Sequence, residues 1–128
     1  MGYLMQISKI LNVTVLLILF SVVTVSMAAS TPSPGNGAVD VPADTVLSWT
    51  AGTGVVHYYK VYFGTDSTPD YIGNQEETTY QPSNLLDYNT TYYWQVDEMT
   101  DSGPVTGTVW SFTTGSPGCG GCVSGPVG

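Results

Sequence analysis

Between residues 31 and 114 the chain is built from short runs in which apolar and aromatic residues recur at every second position, and Gly or Pro separates the runs. A period of two places successive side chains on opposite faces of an extended strand, so each run predicts a strand with one buried and one solvent-facing side. In VLSWT, residues 46–50, Leu47 and Trp49 share a face. In HYYKVYF, residues 57–63, Tyr59, Val61 and Phe63 share one face and Tyr58, Lys60 and Tyr62 the other, which the lysine marks as the solvent side. The strongest run is TTYYWQVDEM, residues 90–99, with Tyr92, Trp94 and Val96 inward and Tyr93, Gln95 and Asp97 outward. TVWSFTT, residues 108–114, turns Trp110 and Phe112 inward. Short strands are predicted at residues 71–72 and 78–80. The lead-in at 32–44 fits only an edge strand, because Pro32, Pro34 and Pro42 have no N–H to give to a ladder. About seven strands without helical periodicity predict an all-β, two-sheet immunoglobulin-like sandwich.

Residues 1–30 follow a different pattern. Lys9 and the amino terminus form a positive end, and an apolar run from 10 to 29 is broken only by Asn12, Thr14, Ser21, Thr24 and Ser26. This is a hydrophobic export helix with Ser26 and Ala28 at the −3 and −1 positions of a cleavage site after Ala28, the pattern of a signal peptide. The run is also about as long as the ~20 residues that span a bilayer, so an uncleaved anchor is the alternative, with membrane contact confined to residues 10–29. Both readings put the rest of the chain outside the cytoplasm, secreted or at the cell surface. The expected organisation is an export segment at 1–28, a sandwich domain at 31–115 and a Gly/Pro/Cys tail at 116–128.

Several motifs resemble the fibronectin type III family over about residues 32–114. They are Trp49 on the second strand, the run Tyr59-Lys60-Val61-Tyr62-Phe63 on the third, and Leu86 placed six residues before Tyr92. The resemblance implies that Tyr92 is the tyrosine corner, its hydroxyl bonding upstream backbone, and that the third and sixth strands are antiparallel neighbours. The phrases LSWTAGTG, VYFGTDSTP, YNTTYYWQVDE and GTVWSFTT are similar to a divergent branch found as repeated modules in exported proteins of bacteria and archaea. Two departures stand out. Tyr88-Asn89 replaces the family's Pro-Gly, and the spacing from Tyr80 to Leu86 is one residue long, which leaves the register of the fifth strand open. No Arg-Gly-Asp occurs at 100–107, so the adhesion activity of some members does not carry over. The expected core is Leu47, Trp49, Tyr59, Val61, Phe63, Leu86, Tyr92, Trp94, Val96, Trp110 and Phe112.

Charge narrows the function. Ten carboxylates face two lysines and no arginine, for a net charge of −8, and Lys60 is the single lysine beyond the export segment. A polyanionic partner needs a basic footprint, so nucleic acid is excluded as a partner. Catalysis is not expected either. The lone histidine, His57, has no nucleophile in a triad pattern near it, and its shared parity with Tyr59 predicts a half-buried structural residue. Glu76-Glu77 and Asp97-Glu98 are adjacent along strands and so point to opposite faces. Asp66 and Asp70 in GTDSTPD, residues 64–70, are oxygen-rich, but their spacing is not that of an EF-hand, and a solvated turn is the expectation. No metal and no cofactor are expected.

Cys119 and Cys122 form a C-x-x-C without the helix N-terminus that activates a redox pair, so outside the cytoplasm a small-loop disulfide or a bridge to another chain is expected. The tail also reads as a linker. The sequon Asn89-Thr90-Thr91 is a glycosylation acceptor in form. The remaining surface of interest is aromatic. Tyr58, Tyr62 and Tyr93, with Lys60 and Gln95, face outward on neighbouring strands and can offer a flat platform to a sugar ring or a protein partner, or simply pair across strands for stability. The expectation is a non-catalytic exported module, acting as a spacer or protein-interaction domain of a cell-surface or secreted protein. A carbohydrate-binding accessory module using the tyrosine face is the alternative.

Overall fold

A computed structural model describes residues 25–118; the apolar run up to residue 24 and both cysteines lie outside the described residues. Nine strands occur among the described residues: β1 (Ser30–Ser33), β2 (Ala38–Val41), β3 (Leu47–Thr50), β4 (Val56–Gly64), β5 (Asp70–Gln75), β6 (Thr79–Tyr80), β7 (Thr91–Thr100), β8 (Gly103–Val105) and β9 (Trp110–Thr114). They form two sheets. One runs β1-β3-β6, the other β2-β9-β7-β4-β5, with β8 paired to β7. The arrangement is an immunoglobulin-like sandwich of the fibronectin type III kind, and no helix occurs among the described residues.

Two strands beyond the expected seven have identifiable causes. The Pro-rich lead-in does not make one edge strand. It makes two, β1 at the edge of the smaller sheet and β2 at the edge of the larger, joined by a turn at Pro34–Gly37. β1 pairs antiparallel with β3, and β2 runs parallel to β9, so the lead-in crosses between the layers and closes both. The second addition is β8, folded back on the end of β7 through the glycine at 103, whose φ is +112. A left-handed φ of this kind suits glycine, which has no Cβ to clash.

The core follows the alternation. Leu47, Trp49, Tyr59, Val61, Leu86, Tyr92, Trp94, Val96, Trp110 and Phe112 are all buried, and Phe63 is partly buried against them. Trp94 on β7 is fully enclosed; its ring lies 6.1 Å from that of Trp49 on the opposite sheet and 4.7 Å from that of Trp110 on β9. Tyr92 stacks between Phe63 at 5.1 Å and Phe112 at 5.8 Å. Aromatic pairs at these separations add ~0.5–1.5 kcal/mol each beyond the area they bury.

The tyrosine corner is formed: the Asp87 N–H donates to the Tyr92 hydroxyl oxygen at 3.0 Å. Leu86 is seated beside it, its N–H donating to the Ala43 carbonyl at 2.9 Å. The additional residue between Tyr80 and Leu86 is absorbed in the loop, which turns Leu85 to solvent, while β6 keeps a regular pairing with β3, Leu47 opposite Tyr80. Asn89 holds φ at +52, a left-handed turn that asparagine tolerates better than most residues, which is how Tyr88-Asn89 replaces Pro-Gly.

Two substitutions test this account by equilibrium denaturation. Trp94→Ala removes the central ring and is expected to cost about 3–5 kcal/mol, as for other buried large-to-small aromatic changes. Tyr92→Phe keeps the stack and removes only the hydroxyl; about 1 kcal/mol is expected, the worth of one intramolecular hydrogen bond.

Candidate functional site

The outward face of the larger sheet is positioned by the pairing of β4 with β5 and β7. Tyr62 stands opposite Gln95 on β7 and Tyr71 on β5; Lys60 stands opposite Asp97 and Asn74; Gly64 stands opposite Tyr93; Tyr58 stands opposite Met99. Residues directly opposite in an antiparallel pair share a face, so Tyr58, Tyr62 and Tyr93 all project outward. Each remains half-buried among its neighbours.

The structure does not gather these three tyrosines into one cluster. Tyr62 and Tyr93 are diagonal neighbours, a relation that puts residues about 7–8 Å apart. Tyr58 is four residues from Tyr62 along β4, about 13 Å at strand spacing. The ring that Tyr62 meets is Tyr71, at 5.6 Å and 61° in an edge arrangement. Tyr71 is 54 % exposed, and its hydroxyl donates to Asn74 Oδ1 at 2.8 Å, which fixes the ring on the sheet edge. Tyr71 is absent from the sequence-based platform because strand β5 extends to six residues where the apolar pattern marks only two. Neither periodicity nor composition reveals which edge strand aligns with Tyr62.

Asp97 organises the middle of this face. One oxygen accepts from Gln95 Nε2 at 2.6 Å and from the Gly107 N–H at 2.9 Å. Gly107 runs so close to β7 that a Cβ there would lie 2.0 Å from the Val96 carbonyl oxygen, which confines the position to glycine. The phenol of Tyr62 is held above its ordinary pKa by burial first and then by the Asp97 charge. Burial also raises Tyr80, and Tyr59, where the Glu98 charge adds to it.

Glu98 is the residue that adjacency concealed. It continues the parity of Tyr92, Trp94 and Val96, and it is fully buried. Its Oε1 accepts the Gly52 N–H at 2.8 Å, and among the described residues nothing reaches Oε2. Extending the alternation two residues past Val96 is the signal that finds it.

The remaining candidates separate. His57 is exposed rather than half-buried: its Nε2 lies 2.5 Å from Asp101 Oδ1, with the side chains 54 % and 66 % exposed. A register irregularity between Val56 and Tyr58 breaks the parity that linked it to Tyr59. Asp66 and Asp70 are exposed at the β4–β5 turn, and no group of three potential metal ligands occurs among the described residues. Asn89 is exposed, its Oδ1 accepting from Ser116 Oγ at 3.1 Å. Two clefts lie at the ends of the sandwich. One, of about 400 Å³, is lined by Val25, Thr53, Val55, Thr100 and Asp101; the other, of about 320 Å³, by Asp40, Pro42, Leu85, Tyr88 and Ser116.

Neither a protein-family model nor a curated protein sequence matches the chain. Solved structures do. The chain is similar to the crystal structure of FN3tt, a fibronectin type III-like fold, at 25 % identity over 70 % of this chain and 97 % of that one, with a TM-score of 0.50. A structure of mutant FN3tt matches at 22 % identity over 72 % and 97 %, again with a TM-score of 0.50.

The tyrosines set a pH prediction. Where the folded state raises a phenol above its unfolded value of ~10, the native state keeps its proton longer, so the associated stability is whole below pH 10 and is lost as pH rises through the folded pKa. Thermal unfolding followed by tryptophan fluorescence is expected to show a constant Tm from pH 7 to 9 as far as these groups decide it, and a fall above pH 10 that Tyr59→Phe diminishes.

Proposed function

We propose that this chain is a non-catalytic exported module that works in line, as a spacer or protein-interaction domain of a cell-surface or secreted protein. One observation carries the reading: the described chain enters and leaves the sandwich at opposite ends. Val25 lies at the end formed by Thr53 and the β7–β8 turn, while Gly115 and Ser116 lie at the other, beside Asp40 and Tyr88. β7 joins the two ends, and its ten residues reach about 30 Å at strand spacing. A domain threaded in this way holds its attachments apart and transmits tension along its strands. The leader-like run before residue 25 and the dearth of basic residues support a place outside the cytoplasm with neutral or cationic partners.

A second reading rests on Tyr62, Tyr71 and Tyr93. The exposed Tyr71 ring against the half-buried Tyr62, with Tyr93 diagonal to it, presents the apolar faces and polar tips on which a sugar ring stacks. This makes a carbohydrate-binding accessory role the alternative use of the same module.

Both readings are open to measurement. With Cys119 and Cys122 replaced by Ser, spin labels at Val25→Cys and Pro117→Cys are expected about 30 Å or more apart; a separation below about 20 Å sinks the in-line reading. On a glycan array, binding that Tyr62→Ser and Tyr93→Ser abolish without lowering Tm establishes the carbohydrate reading, whereas no binding by the unaltered protein removes it.

A further inference from the structure

We infer that in the exported protein the peptide bond between Ala28 and Ala29 stays uncut, because the fold itself holds the residues a processing peptidase must grip. The inference rests on the export reading above and goes beyond it, deciding whether the leader is cut.

The grip is specific. The Met27 N–H donates to Thr53 Oγ1 at 3.0 Å, and the Thr53 N–H donates to the Met27 carbonyl at 3.2 Å. The Thr53 hydroxyl donates in turn to the Val25 carbonyl at 3.2 Å, and Ser26 Oγ donates to the Thr53 carbonyl at 3.4 Å. Peptidases read a substrate as an added extended strand, through its main-chain N–H and C=O groups. Both of those groups on Met27, the residue between the −3 and −1 positions, are already engaged within the domain.

The platform under Met27 is built for close approach. A Cβ at position 52 would lie 1.6 Å from the Met27 carbonyl oxygen, so only glycine admits this crossing. Gly52 is fixed from below by the fully buried Glu98, whose carboxylate accepts its N–H. The next residue argues the same way. Ala29 is 6 % exposed, and a cut after Ala28 places a new ammonium on that buried residue, where a charge is costly to desolvate. Among the described residues, contact with the domain thus reaches back to Val25, the fourth residue before the bond.

The test uses the full chain with its own leader, expressed in a bacterial host. Labelling of Lys60, the single lysine beyond the leader, by a membrane-impermeant amine reagent reports export. Intact mass reports processing. The expected result is a labelled, uncut 13.6 kDa chain. Thr53→Ala removes two of the four bonds and is expected to raise the species beginning at Ala29 at least several-fold with tryptophan emission unchanged, while Thr53→Ser, which keeps the hydroxyl, stays uncut. A wild-type chain that begins at Ala29 overturns the inference and leaves the export reading intact. So does a Thr53→Ala chain as uncut as wild type, since the fold is then not what protects the bond. An uncut chain that is never labelled overturns export and this inference together.

Discussion

Trp94 is sealed between the two sheets, in ring contact with Trp49 across the interface and with Trp110 beside it. A domain of this size buries a modest fraction of its surface, so a few large rings must supply much of the apolar burial. That requirement fixes the pairing of the strands. With Trp94 inward, Tyr92 and Val96 are inward, and a slip of one residue would place all three in water. The Tyr92 stack with Phe63 and Phe112 then couples β4, β7 and β9, and its hydroxyl ties the β6–β7 crossover to the sheet. The outward tyrosines are a consequence of the same parity. Tyr93 faces solvent because Tyr92 and Trp94 do not.

The same parity carries a carboxylate indoors. Glu98 lies two residues beyond Val96 on the buried face, and burial of a carboxylate is unfavourable unless it is hydrogen-bonded. The Gly52 N–H supplies a bond, and with it β7 is joined to the β3–β4 loop. That loop is where Met27 crosses. A core side chain, a glycine and the main chain at the start of the described domain thus form one continuous connection from the interior to the end where the chain arrives. At the opposite end Thr114 is equally anchored, its hydroxyl donating to the Asp87 carbonyl at 2.5 Å, beside the tyrosine corner. Both attachments of the module are therefore wired into the central strand β7 or its immediate partners, an arrangement suited to holding two points apart.

Much of this was legible in advance. Alternation located β3, β4, β7 and β9 and the apolar core residues they carry, because burial of one strand face imposes a period of two on composition. The tyrosine corner was legible through the family resemblance, which Leu86 six positions ahead of Tyr92 carries. Three features were not. The proline-rich lead-in carries no alternation strong enough to show that it changes sheets, and the division into β1 and β2 is decided by what each half pairs with. Tyr71 meets Tyr62 through the register of the β4–β5 hairpin, which a bulge between Val61 and Tyr62 shifts by one residue. His57 escaped its expected face because a register irregularity shifts the phase of the strand end.

The amino-acid sequence alone determined that the chain makes paired sheets around tryptophans, that it lacks a basic surface, and that an apolar run precedes the domain, since each depends on residue type and spacing along one strand. Tertiary structure decided which tyrosines meet, that Glu98 is held by Gly52, and that Val25 to Ala29 belong to the fold. Those contacts depend on strand register and on segments up to 46 residues apart, and Asn36 reaches Ser111 across 75; spacing along one strand carries no record of which segments fold onto each other.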